Sequence, residues 1–112
     1  MSSSIVRVKY DDMSVDTAWT FNNSGNCEMG DIKELRVHGD FLYVLDYSKD
    51  ILFRLTLTGA PATCDWVATI DNPISMDIKE NTLYASGYQL HIKYHFLYPL
   101  ILDYQLLLTN HK

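Results

Sequence analysis

Cysteine, proline and glycine are scarce in this chain of 112 residues, with two, three and five copies. Two cysteines, Cys27 and Cys64, are too few for a disulfide framework and have no metal-ligand spacing. They remain semi-buried thiols, the plainer reading, or they pair once if the chain meets an oxidising compartment. No apolar run reaches the roughly 18–20 residues of a spanning helix. The nearest stretch, Phe96 to Leu108, is interrupted by Pro99 and Asp103 and lacks the basic face of an interfacial helix. The first residues hold no basic region followed by an apolar core, so no secretory signal is expected there. Basic side chains are also few, nine Lys plus Arg against fourteen Asp plus Glu, a net charge of -5. Phosphate binding needs clustered cations, so this balance argues against nucleic acid as a partner.

Recognisable chemistry is missing as well. There is no Gly-rich phosphate loop, nucleophile elbow or Cys-His cluster. His91 and His95 are four apart, a metal spacing on a helix, but on a strand they lie about 13 Å apart. His38 precedes Gly39-Asp40 in a turn and reads as solvated. Asp46 and Asp50 flank a polar turn without the glycine or closing glutamate of a calcium loop. No catalytic residue, cofactor site or metal ligand set is therefore expected. Asn22-Asn23-Ser24 matches the N-glycosylation pattern, which matters only for a secreted chain.

What the chain does have is β-strand composition and an internal repeat. Aromatic residues are 12%, eight of them Tyr, and turn residues punctuate the sequence every eight to twelve positions. Ile5-Val6-Arg7-Val8-Lys9-Tyr10 parallels Leu52-Phe53-Arg54-Leu55-Thr56-Leu57, and Trp19 parallels Trp66, both at an offset of 47 (7 to 54, 19 to 66). Leu35 to Val44 parallels Met76 to Ala85 at an offset of 41. The six extra residues of the first copy fit the turn-rich stretch 22–30. Recurrence of the two Trp and two Arg residues marks them as packing and strand-bridging groups.

The fuller copy divides into four short strands: around Leu35–Val37, Phe41–Leu45, Ile51–Leu57 and Trp66–Ile70. The run Phe41 to Leu45 is apolar throughout and must be covered on both faces, whereas Ile51 to Leu57 alternates as expected nearer an outer edge. Four antiparallel strands per 41–47 residues is the period of a propeller blade. The expected class is all-β, with copies at about 5–30, 31–70 and 71–95 in one unit, and a divergent tail at 96–112. That tail reads either as an edge strand limited by Pro99, or as an altered end such as a truncated or read-through gene product.

Leu42-Tyr43-Val44-Leu45-Asp46, a turn, then Leu52-Phe53-Arg54-Leu55-Thr56-Leu57-Thr58-Gly59 resembles the YWTD repeat of low-density-lipoprotein-receptor class B, and more loosely NHL and TolB-like repeats. Pro73-Ile74-Ser75-Met76-Asp77 resembles the family's Pro-x-x-x-Asp. The family's Trp-Thr is replaced by Val44-Leu45 and Ala85-Ser86, and Gly87 stands where Asp is expected. The resemblance implies a six-bladed β-propeller, of which this chain would hold about two and a half blades. It would then be a fragment, or a chain that must associate, because propellers need at least four blades to close. The role implied is a non-catalytic protein-interaction scaffold of the extracellular receptor or adhesion kind. Its partners would be another protein or a second copy, met through open sheet faces. The alternative is a piece of a six-bladed propeller enzyme of the lactonase or esterase kind, and a small β-sandwich with an accidental repeat is a third reading.

Overall fold

A computed structural model describes residues 4–21, 27–87, 90–97 and 100–108, the last two stretches by their backbone and the side chain of Tyr94. The described residues form eight strands and no helix, in two antiparallel sheets of four. The first sheet holds β1 (Ile32–His38), β2 (Phe41–Asp46), β3 (Ile51–Thr56) and β4 (Cys64–Thr69) in sequential order. The second holds β5 (Pro73–Lys79), β6 (Thr82–Gly87), β7 (Leu90–Leu97) and β8 (Leu100–Leu108), also in order. The sheets stack face to face and do not close into a barrel.

Turn chemistry sets these boundaries. Gly39 takes a positive φ of 60° between β1 and β2, a conformation that glycine adopts without a Cβ penalty. Asp50 and Glu80 adopt positive φ at the corresponding turns before β3 and β6. The register carries the sequence repeat into space. Leu35 pairs with Val44, and Met76 pairs with Ala85, so an offset of 41 relates both partners.

Every residue of β2 is buried, as its unbroken apolar run requires. One of its faces, with Phe41, Tyr43 and Leu45, joins Leu52 and Ile70 in packing on Met76, Leu83, Ala85 and Tyr94 of the second sheet. The other face, with Leu42 and Val44, joins Phe53 and Leu55 under Ile5, Trp19 and Phe21. Burying side chains of this size contributes about 1.5–3 kcal/mol each, so the two clusters hold the layers together.

Three expectations are revised. Among the described residues of the first copy, 5–21 and 27–30, no regular strand forms. Residues 5–21 form an irregular hairpin with two isolated bridges, Ile5 to Phe21 and Val8 to Val15, docked on the first sheet. Strand β3 is an inner strand, buried from Leu52 to Leu55, and not an alternating strand nearer the edge. Its Arg54 is accommodated because Asp65 neutralises it. The third copy does not stop at 95. The stretch 100–108 of the divergent tail runs as β8 along β7 and completes a second four-stranded unit.

Candidate functional site

Several of the residues weighed above make structural contacts. Arg54 donates from Nε to Asp65 Oδ1 at 2.8 Å and from Nη2 to Oδ2 at 3.0 Å, and lies 3.8 Å above the Phe41 ring. Burial opposes its charge, but hydrogen bonds to Asp65 and Tyr43 outweigh that and raise its pKa further. Arg7 repeats the theme on the docked hairpin. Its Nη2 meets Asp16 at 2.8 Å, its Nη1 donates to the Leu57 carbonyl at 2.8 Å, and its head lies 5.1 Å from the Trp19 ring. The Arg7 hydrogen bond holds the Asp16 carboxyl below its ordinary pKa. Hydrogen bonds from Ser14 do the same for Asp12.

The carboxylate of Asp46 is wholly buried at the end of β2. It accepts from the Gly30 N–H at 2.7 Å, the Asp31 N–H at 3.2 Å, the Lys49 N–H at 3.0 Å and the Ser48 hydroxyl at 3.2 Å. One side chain thus anchors both the entry to β1 and the β2–β3 turn. Asp50 does similar work at another junction, accepting from the Asn72 N–H at 3.3 Å. At the position equivalent to Asp46 the second sheet has Gly87, where a Cβ would collide with the Asp71 carbonyl and crowd Ile70. The departure from the repeat is therefore a steric requirement.

The structure pairs Cys27 with Cys64, Cα atoms 6.4 Å apart, where the sequence left free thiols as the plainer reading. Cys27 is buried in the same cluster as Trp19 and Phe21 of the docked hairpin, and Cys64 packs against that cluster. His91 and His95 lie on strand β7, in line with the extended spacing, and His38 ends β1 in a half-buried setting. Asn22, the glycosylation candidate, lies outside the described residues, as does Pro99. No group of three or more His, Cys, Asp or Glu able to hold a metal ion occurs among the described residues. No helix among them is long and apolar enough to cross a membrane.

The informative site is a surface, and the repeat is what reveals it. Met76 on β5 is 3% exposed, because the first sheet covers it, whereas its equivalent Leu35 on β1 is 44% exposed. Val37, two residues on, is more open still. The docked hairpin covers the outer part of that face, with Trp19 donating to the Thr56 carbonyl and accepting from the Ala62 N–H. It leaves Leu35 and Val37 of the edge strand β1 open. The reverse comparison holds at the other end of the stack. Tyr43 is fully buried against the second sheet, and its equivalent Tyr84 is 41% exposed.

The two ends differ chemically. Along the far side of the second sheet run Ser75, Asp77 and Lys79 of β5 and Thr82, Tyr84 and Ser86 of β6. Strand β6 alternates buried and open positions where β2 is buried throughout. The register partners of Thr82, Tyr84 and Ser86 on β7 are His95, Lys93 and His91. A polar face of this kind is suited to water, as in an antiparallel sheet with one wet side. The open apolar side chains at the hairpin end include Val6, Val8, Tyr10, Met13, Leu35 and Val37.

No family model, curated protein or solved structure matches the chain.

Proposed function

We propose that this chain is a non-catalytic protein-interaction scaffold built from propeller-type blades, of the six-bladed receptor-like or adhesion kind that its YWTD-like and NHL-like residues point to. The observation that carries the reading is the bare apolar strand β1. Its residues Leu35 and Val37 occupy positions whose equivalents, Met76 and Ile78, pack in the junction between the two sheets. A surface patterned as the inside of a sheet–sheet junction, yet open, is a surface made for another protein layer.

Repetition of the junction supports the blade assignment. Trp66 of β4 meets Tyr94 of β7 edge to face, with ring centroids 5.0 Å apart. One unit earlier Trp19 shares a cluster with Phe53, the equivalent of Tyr94, and Phe21 lies 6.1 Å from the Phe53 ring. Each Trp-bearing segment thus packs on the aromatic of the third strand in the following sheet, as successive blades do. The Cys27–Cys64 bond accords with an oxidising, extracellular setting for such a scaffold.

The test is hydrodynamic. Sedimentation of the purified chain across a concentration series from low to high micromolar should show reversible association, weakened by the double substitution L35D/V37D. A chain that stays monomeric and unfolds cooperatively at the highest concentration would refute the reading, because its open strand would then need no partner.

A further inference from the structure

We infer that Tyr10, at the tip of the docked hairpin, is a modification site whose phenol accepts a sulfuryl group to become a sulfate ester. This rests on the oxidising, extracellular setting proposed above and names a group added there.

Exposure singles out Tyr10 first. It is 95% exposed, against 49% for Tyr47 and 41% for Tyr84, while Tyr43 and Tyr94 are buried. It opens the turn Tyr10-Asp11-Asp12, which is closed by the Lys9 N–H on the Ser14 carbonyl and the Met13 N–H on the Lys9 carbonyl, both at 2.8 Å. A transferase must surround the phenol, and a projecting loop tip allows that without unpairing a strand. Ile5, Trp19 and Phe21 anchor the hairpin behind it.

Charge singles it out again. Asp11 and Asp12 follow Tyr10 directly. Asp12 accepts from the Ser14 N–H at 3.0 Å and the Ser14 hydroxyl at 2.8 Å, and Asp11 accepts from the Asp12 N–H at 2.9 Å. Among the described residues no ion pair reaches either carboxylate, and Arg7 is occupied by Asp16 and the Leu57 carbonyl. A cleft that holds a polyanionic sulfuryl donor has to be basic, and a basic cleft attracts an acceptor with free carboxylates. Tyr47 lacks that flank, because the carboxylate of Asp46 before it is buried and accepts four hydrogen bonds. Tyr84 lies between Leu83 and Ala85 on β6. Of the described tyrosines, Tyr10 alone combines exposure with a free acidic flank.

The Cys27–Cys64 bond points to the compartment. Disulfides persist where the surroundings are oxidising, which is also where sulfuryl transfer to protein tyrosines takes place. The donor is an adenine nucleotide that carries sulfate as a mixed anhydride with phosphate. The Tyr10 Oη–S bond forms, the bond from sulfur to the phosphate oxygen breaks, and the phosphate leaves with the electron pair. The phenol proton passes to a base of the transferase, and sulfur keeps its oxidation state. The ester adds one permanent negative charge to a chain already at -5, on a side chain that no packing restrains.

The test offers the purified, disulfide-bonded chain to a tyrosine sulfotransferase with radiolabelled donor. Label should appear in the peptide that holds Tyr10, be absent from Y10F, and enter D11N/D12N about tenfold more slowly. Far-UV circular dichroism of both variants should match the wild type. An unlabelled wild type, another tyrosine labelled at an equal rate, or an undiminished rate in D11N/D12N would overturn the assignment. In protein isolated from its natural source, Tyr10 should carry a group that withstands alkaline phosphatase. A bare phenol, or a group the phosphatase removes, would overturn it as well. Labelling of a chain that sediments as a monomer would sink the scaffold reading and leave this one standing.

Discussion

Opening the Cys27–Cys64 bond perturbs the fold in a way whose size follows from its place in the chain. The cysteines are 37 positions apart and enclose β1, β2 and β3 within one covalent loop. In the loop-closure treatment a cross-link of this span removes about 13 cal/mol/K from the unfolded chain, which is about 4 kcal/mol at 25 °C. Against the 5–15 kcal/mol that stabilises an ordinary domain, that is a large share. The expected fall in midpoint temperature is about 15 °C for a chain of this length. The assay is urea unfolding followed by circular dichroism for the wild type, the dithiothreitol-reduced wild type and the variant C27A/C64A. Both perturbed forms should lose stability by similar amounts, and the slope with urea should steepen because the released chain exposes more surface. Trp19 fluorescence should report the same transition, since its indole is buried in the cluster that holds both sulfurs. A change below about 1 kcal/mol on reduction would refute the reasoning, because the loop would then not be constraining the unfolded state.

Other expectations follow from the same contacts. D46A leaves the N–H groups of Gly30, Asp31 and Lys49 without their shared acceptor and should destabilise by about 3 kcal/mol or more in urea melts, with D46N costing less. G87D restores the consensus of the repeat yet should destabilise by about 1–3 kcal/mol, because the added side chain meets the Asp71 carbonyl; a neutral or stabilising result would contradict the steric account. Asp16 should titrate below an ordinary aspartate in carbon-detected NMR, and R7Q should return it upwards. Because its folded pKa is depressed, the stabilisation from the Arg7 pair is complete above the ordinary aspartate value and is lost as pH falls through the folded pKa, in the acid range only. R54M should weaken the junction by about 1.5–3 kcal/mol, through loss of the paired Asp65 bonds above Phe41.

Much of this architecture is determined by the sequence itself. The unbroken run Phe41 to Leu45 demands cover on both sides, and β2 has it. The turn at Gly39 and the repeat offset of 41 locate β1 and β2 and, from them, β5 and β6. Those features are local, since side-chain alternation and backbone freedom act over a few residues.

Tertiary contacts decided the rest. Residues 5–21 carry a strand-like pattern, yet they settle as an irregular hairpin, held chiefly by burial of Trp19 and Phe21 on the first sheet. Cys27 meets Cys64 through packing between segments 37 residues apart, and no spacing rule encodes it. Recurrence marks Arg54 as a bridging group, but its partners Asp65 and Phe41 and its burial come from the packed sheet. Leu35 and Met76 are equivalent in sequence, and only the presence or absence of an adjoining layer makes one open and the other buried. Alternation states which side of a strand is apolar. Which sheet or hairpin comes to cover that side is settled by the packing of layers far apart in the chain.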